Sequence, residues 1–345
     1  VGLPRIDNRT AFAADPQILL GREGEALVIL VKASFELLDP TDDQLTLAPA
    51  DRMRPLRPAD IPWGEPEVSS IAYPSDHCLY KPGTDVVVLA SAFPPAGPTV
   101  TNYDVFVQVG ELRKTVRVFG LRVWQTDGAG LSAPGSAGPV EMRYENAWGG
   151  VDGVDSPNFI EEARNPVGTG VRLDPATLSH QLAPCLEDPD ALIASFRTRP
   201  PPAGIGAIGR HWQPRRQYTG TYDEAWKELR APLAPNDRDD RFEQCASPGL
   251  VSQVPLQSGE LVGLLNLTPG GGARRFNLPR VALEISFDVP DRDRYVTRPH
   301  LDTVLIDALN LSLTKPLAVE MVWRAAVPAP RKPELAKVRV EEVKP

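Results

Sequence analysis

The sequence predicts a mainly β protein: packed antiparallel sheets, sandwich- or barrel-like, with a long loop-rich insertion carrying one or two short helices. Three observations lead there. Runs rich in β-branched residues dominate both ends of the chain. The 37 prolines are spread along 345 residues rather than gathered in one linker, and proline interrupts helices while suiting turns and strand edges. Between about Gly149 and Pro255 the strand pattern fades into Gly, Pro, Asp and Arg.

Taken in order, Ala26–Leu37 reads as a strand buried on both faces, because its apolar run is continuous. Asp85–Phe93 follows a Pro82–Gly83 turn. Tyr103–Gly110 alternates, with Val105, Val107 and Val109 on one side. Lys114–Trp124 repeats the pattern, with Val116 and Val118 opposite Arg117 and a hairpin turn between the two runs. Val140–Trp148 closes residues 1–148, the N-terminal β block. Residues 149–258 form the loop-rich insertion, with a short helix predicted at Pro189–Ser195, capped by Asp188. Residues 259–327 return to strands at Glu260–Leu267, Val281–Val289, Thr303–Asp307 and Leu317–Ala325. The turns between them are Thr268–Gly272 and Thr314–Pro316. Residues 328–345 read as a charged, proline-containing extended tail.

Composition narrows the function classes. A net charge of −8 opposes a nucleic-acid partner, since phosphate neutralisation needs a basic face. No apolar run reaches the roughly 18 residues that span a bilayer, so no membrane insertion is expected. Cys78, Cys185 and Cys245 are odd in number and far apart, which suits buried thiols in a reducing cytoplasm. The four histidines show no metal-ligand spacing. Gly204-x-Gly206-x-x-Gly209 matches a dinucleotide fingerprint in letters only. No strand precedes it and no helix follows, so it reads as a flexible glycine loop. No cofactor or metal and no catalytic residue is expected. Arg164, Arg215, Arg216 and Arg241 stand in the insertion as candidate partner-binding residues, or as staples of long loops.

The densest stretch is Tyr218–Leu233. Asp223 and Glu224 between aromatic residues resemble an acid/base pair. A structural reading accounts for them better. Thr221-x-x-Glu224 forms a capping box, and Asp223 in the first turn faces the positive end of the helix dipole. Tyr222, Ala225, Trp226 and Leu229 share one apolar face, and Pro232 stops the helix. The expectation is a short helix that pins the insertion onto the β scaffold.

Several longer motifs occur in a set order: NRTAFAAD from Asn8, VKASF from Val31, WGEP from Trp63, YKPGTDVV from Tyr80 and LRKTVRVFG from Leu112. YENAWGGVD from Tyr144 follows, containing Trp148, Gly149, Gly150 and Asp152. NPVGTG then runs from Asn165 through Pro166 and Gly168. WQPRRQYTGTYDEAW from Trp212, LLNLTP from Leu264 and HLDTVLID from His300 complete the order. This string resembles the bacterial family known as domain of unknown function 2169, up to about Ala326. The resemblance implies an accessory protein of type VI secretion. Such a protein is a cytoplasmic adaptor or chaperone that binds an effector toxin, its PAAR-like tip or the VgrG spike and assists loading. It implies no catalytic set. The alternative is a carbohydrate-active β-sandwich protein, either a binding module or a glycoside hydrolase, with an open groove of Trp and Tyr and two inward carboxylates.

Overall fold

The computed structural model describes residues 2–38, 45–49, 51–126, 130–290, 292–309, 311 and 315–344. Thr314 of the Thr314–Pro316 turn lies outside them. The longer strands of the first half are β1 (Arg5–Asn8), β2 (Ala13–Leu20), β3 (Glu25–Leu37), β4 (Asp85–Ala92), β5 (Asn102–Val109) and β6 (Leu112–Phe119). Those of the second half are β7 (Leu261–Leu265), β8 (Ala273–Asn277), β9 (Leu283–Asp288), β10 (Tyr295–Thr297), β11 (His300–Ala308), β12 (Leu317–Pro328) and β13 (Lys337–Glu342). The fold is mainly β, as the sequence predicts, and no sheet closes into a barrel among the described residues.

The largest sheet has seven strands. Its path runs Val140–Glu141, β4, β11, β12, β3, β2, with Thr46–Leu47 also on β3. Only the β4–β11 pair in it is parallel. A five-stranded sheet runs Leu186–Glu187, β6, β5, β7, β8. A four-stranded sheet runs β1, β13, β9, β10. Strands from both ends of the chain therefore interleave in the seven- and four-stranded sheets.

Alternation explains the core. Leu27, Ile29, Val31 and Phe35 of β3 join Val319, Met321 and Trp323 of β12 in one apolar cluster. Val105 and Val107 of β5, Val116 and Val118 of β6, and Ile285 and Phe287 of β9 complete it. Each such side chain stabilises the fold by about 1.5–3 kcal/mol when fully buried. The opposite face of the large sheet is buried too, but it carries charge. Lys32 lies 2.9 Å from Asp76 and 2.7 Å from Glu320. Arg57 lies 2.7 Å from Glu320, and Arg54 bridges Glu320 at 3.0 Å and Asp307 at 2.7 Å. The segment from Arg54 to Asp76 covers this face and supplies one partner in four of these five pairs.

Three expectations are corrected. Pro189–Ser195 is not helical. Asp188 caps only a turn, and the backbone N–H of Ile193 donates to the buried Glu187 carboxylate at 2.6 Å, which draws the chain out of helical register. The stretch expected as an extended tail, 328–345, carries a sheet strand within its described residues. Its β13 lies between β1 and β9, because Val338 and Val340 alternate inward between charged neighbours. The Gly204–Gly209 loop is packed rather than flexible: Ile205 and Ala207 are fully buried, and Val88 N–H donates to the Ile205 carbonyl at 3.0 Å. No described helix is long and apolar enough to cross a membrane.

Candidate functional site

The insertion is held in shape by Asn165. Its side-chain amide donates to the carbonyls of Tyr144 at 2.8 Å and Trp148 at 2.9 Å. Its own carbonyl accepts from Gly150 at 2.8 Å and Gly168 at 3.2 Å. Gly149 sits at φ +155, and a Cβ there would lie 2.2 Å from the Asn165 carbonyl oxygen. Only glycine permits this approach. Pro166, half-buried, follows Asn165 in the clasp. Trp148 packs with Trp124, Val171, Leu178 and Ile193 in a separate small core. Asp152 accepts from Leu173 N–H and Gly153 N–H, both at 2.9 Å, and these bonds hold its pKa below the usual carboxylate range. The segment that follows Trp148 is thus a set of mutually bonded turns, not a groove.

The four arginines are placed differently and do not converge on one site. Arg164 forms a two-pronged pair with Glu162, at 2.7 Å on each prong, and also reaches the Pro200 carbonyl at 3.1 Å. Arg215 is buried and ties two loops, donating to Ile208 O at 2.8 Å and Phe242 O at 2.9 Å. Arg216 is exposed. Arg241 pairs with Asp239 at 2.7 Å and lies over the Tyr218 ring.

The helix α1 (Glu224–Leu229) departs from expectation in two ways. Thr221 does not cap it. The Asp223 carboxylate accepts from Trp226 N–H at 2.8 Å, while the Thr221 hydroxyl donates to Asp237 at 2.7 Å. Aspartate two residues nearer the helix supplies the same acceptor with a charge the dipole favours. Nor does the helix bury its apolar face. Tyr222 is 49% exposed and Leu229 85% exposed, and Trp226 is only half-buried. Tyr222 and Trp226 pack edge to face on each other, 4.6 Å between centroids, and the Trp226 indole donates to Leu233 O at 2.8 Å. Helical spacing sets which residues share a face, but not which way that face turns. Here it turns to solvent. Arg230, which donates to Ala234 O at 2.7 Å and to Arg22 O, seats the module on the β2–β3 turn. The result is an ordered aromatic and aliphatic knob on a rigid base.

A cavity of about 530 Å³ lies beside the insertion, lined in part by Lys114, Tyr144, Arg164, Asp188 and Pro248. Lys114 is on the same face of β6 as the core residues Val116 and Val118, which turns its ammonium inward. It donates to Ser247 Oγ at 2.5 Å and Pro248 O at 2.6 Å. Tyr144 OH donates to Ser247 Oγ at 2.9 Å, and Ser247 donates on to Gly204 O at 2.7 Å. Enclosure pushes the Lys114 pKa down to about 8, against a smaller upward pull from Asp188. Chemically the trio has the residue types of a serine nucleophile with a lysine base. Ser247, however, is fully buried and its proton is committed to a carbonyl. In this arrangement the trio ties β6 to the 247–248 loop. Its members are distant in sequence, so only the Lys-x-Val-x-Val alternation signalled it.

Of the tryptophans, Trp124, Trp148, Trp212 and Trp323 are buried, so their ring faces pack against protein. Residues 22–324 match the model of a family described as an uncharacterized protein conserved in bacteria, domain of unknown function 2169. No curated protein and no solved structure matches the chain.

Proposed function

The chain belongs to this bacterial family, and from that premise we propose that it is a cytoplasmic, non-catalytic adaptor or chaperone. It binds a type VI secretion effector, or the PAAR-like tip or VgrG spike that carries it, and assists loading. The nature of the cargo in this proposal is what the motif resemblance implies. The observation that supports binding rather than chemistry is the outward apolar face of α1, with Tyr222, Trp226 and Leu229 displayed on a hydrogen-bonded base. A large apolar side chain as exposed as Leu229 gains nothing from the fold that carries it, and aromatic groups held in place bind with little loss of rotamer freedom.

The test is affinity co-purification of the tagged chain, co-expressed in turn with each product of its own gene neighbourhood. The proposal expects at least one effector, tip or spike protein to co-purify at a fixed ratio. Recovery of none of them, with all of them folded and soluble, overturns it.

A further inference from the structure

The four-stranded sheet ends at β10, which pairs only with β9. Its outer edge has no strand partner among the described residues, and Tyr295 and Val296 on it are exposed. Beside it opens a cavity of about 450 Å³ lined by Pro290, Arg292, Pro330, Arg331, Lys332 and Leu335. Three cations and, among the described residues, no carboxylate line this space. Among the described residues none of the three forms an ion pair; the Arg292 side chain donates only to Pro328 O, at 3.2 Å. A second cavity of about 240 Å³ adjoins it, shares Arg292 and is lined by Phe287, Val289, Asp293, Tyr295 and Val327.

Unpaired cations gathered in one place are conspicuous in a chain of net charge −8. Charge on an edge strand often serves only to stop copies pairing edge to edge. That accounts for Arg294 and Arg298 at the ends of β10, but not for a cationic cavity next to an exposed Leu335. The charge also selects the occupant. A second copy would bring the same cations to the same place, and a nucleic acid would meet an acidic protein beyond this corner.

We propose that β10 and the cationic cavity form a docking site for an extended acidic segment of a protein partner, added to the sheet as a fifth strand. Main-chain hydrogen bonds to the unpaired edge hold the segment, and its alternate side chains point to opposite faces. Acidic ones on one face reach Arg292, Arg331 and Lys332. Apolar ones on the other cover Tyr295 and Val327. This inference rests on the adaptor reading, since it assigns that adaptor a contact surface separate from α1.

The probe is a fluorescein-labelled twelve-residue peptide of alternating Glu and Val, with a Lys-for-Glu peptide, an oligothymidine and phosphatidylglycerol vesicles as comparators. Anisotropy with the full chain should show binding by the acidic peptide alone. Binding should weaken with salt, because exposed charges are screened. It should fall at least tenfold in the triple variant R292E/R331E/K332E, whose thermal unfolding should match the parent because all three side chains lie at the surface. Amide exchange at Tyr295–Thr297 should slow when the peptide binds. Equal binding to the triple variant, no binding, no protection of β10, or equally tight capture of any comparator overturns the proposal. If the peptide fails while gene neighbours still co-purify, this surface falls and the adaptor stands. If the peptide binds while no neighbour does, the surface stands and the adaptor reading falls.

Discussion

The Asp223 carboxylate accepts the Trp226 backbone N–H at 2.8 Å, and this bond sets where α1 begins. Replacing Asp223 with Ala should cost about 1 kcal/mol of helix stability, and Asn should be nearly neutral because it keeps the acceptor. The helix has only six residues and no buried side chain, so the loss should be local. Hydrogen exchange at 224–229 should quicken while the global unfolding midpoint barely moves. An unchanged exchange rate in Asp223→Ala would return the cap to Thr221.

Trp226→Ala removes the edge-to-face contact with Tyr222 and the indole bond to Leu233 O. These are worth about 0.5–1 kcal/mol each. The total, about 1–2 kcal/mol, is well below the roughly 3–5 kcal/mol lost when a fully buried tryptophan is truncated. Urea unfolding separates the two: a cost in the higher range would mean that α1 packs on the core after all.

Glu320 sits among Lys32, Arg57 and Arg54. Burial pushes its carboxyl up, but the three cations outweigh burial and hold its pKa below the usual carboxylate range. Glu320→Gln leaves buried positive charge uncompensated and should cost about 3–5 kcal/mol at pH 7. A depressed carboxylate contributes stability that is complete above the ordinary pKa of about 4.3 and is lost as pH falls through the folded value. The gap between parent and variant should therefore close in acid, as parallel denaturation curves between pH 7 and pH 2.5 would show.

Lys114 behaves in the opposite sense. Its folded pKa, pushed down to about 8, lies below the ordinary value of about 10.4. Between these values the unfolded chain keeps a proton the folded chain has lost, so stability rises with pH across that window. Measured against Lys114→Met, the parent should gain stability from pH 7.5 to pH 10. The difference is the useful quantity, because both proteins share the thiols of Cys78, Cys185 and Cys245, pushed up by burial, which lower stability in alkali. A flat difference would mean that the ammonium is hydrated.

The strand blocks were readable because alternation and β-branching act locally. Val109 faces Leu112 across a two-residue turn at Gly110, and the glycines at 270–272 close β7 onto β8. What escaped depends on distant partners. The Lys-Val-Arg-Val run of β13 looked like a charged tail because its apolar positions are only two, and its sheet is completed by β1, more than 300 residues away. The turn at 189–195 had a good helix start, but it lost its register to the buried Glu187. In the insertion, the Gly149–Asn165 clasp could be read as a motif but not as geometry, since the fit of a missing Cβ to a carbonyl is invisible in the letters. The orientation of α1 was not in its own spacing at all; it depends on how Arg230 meets the β2–β3 turn.

The central claim is that α1 is a contact surface, and one comparison tests it most directly. Titration calorimetry of a co-purifying partner against the parent and Leu229→Asp should show at least a tenfold loss of affinity in the variant. Its urea midpoint should stay unchanged, because Leu229 is 85% exposed and supports nothing in the fold. Equal affinity in the two proteins would contradict the account.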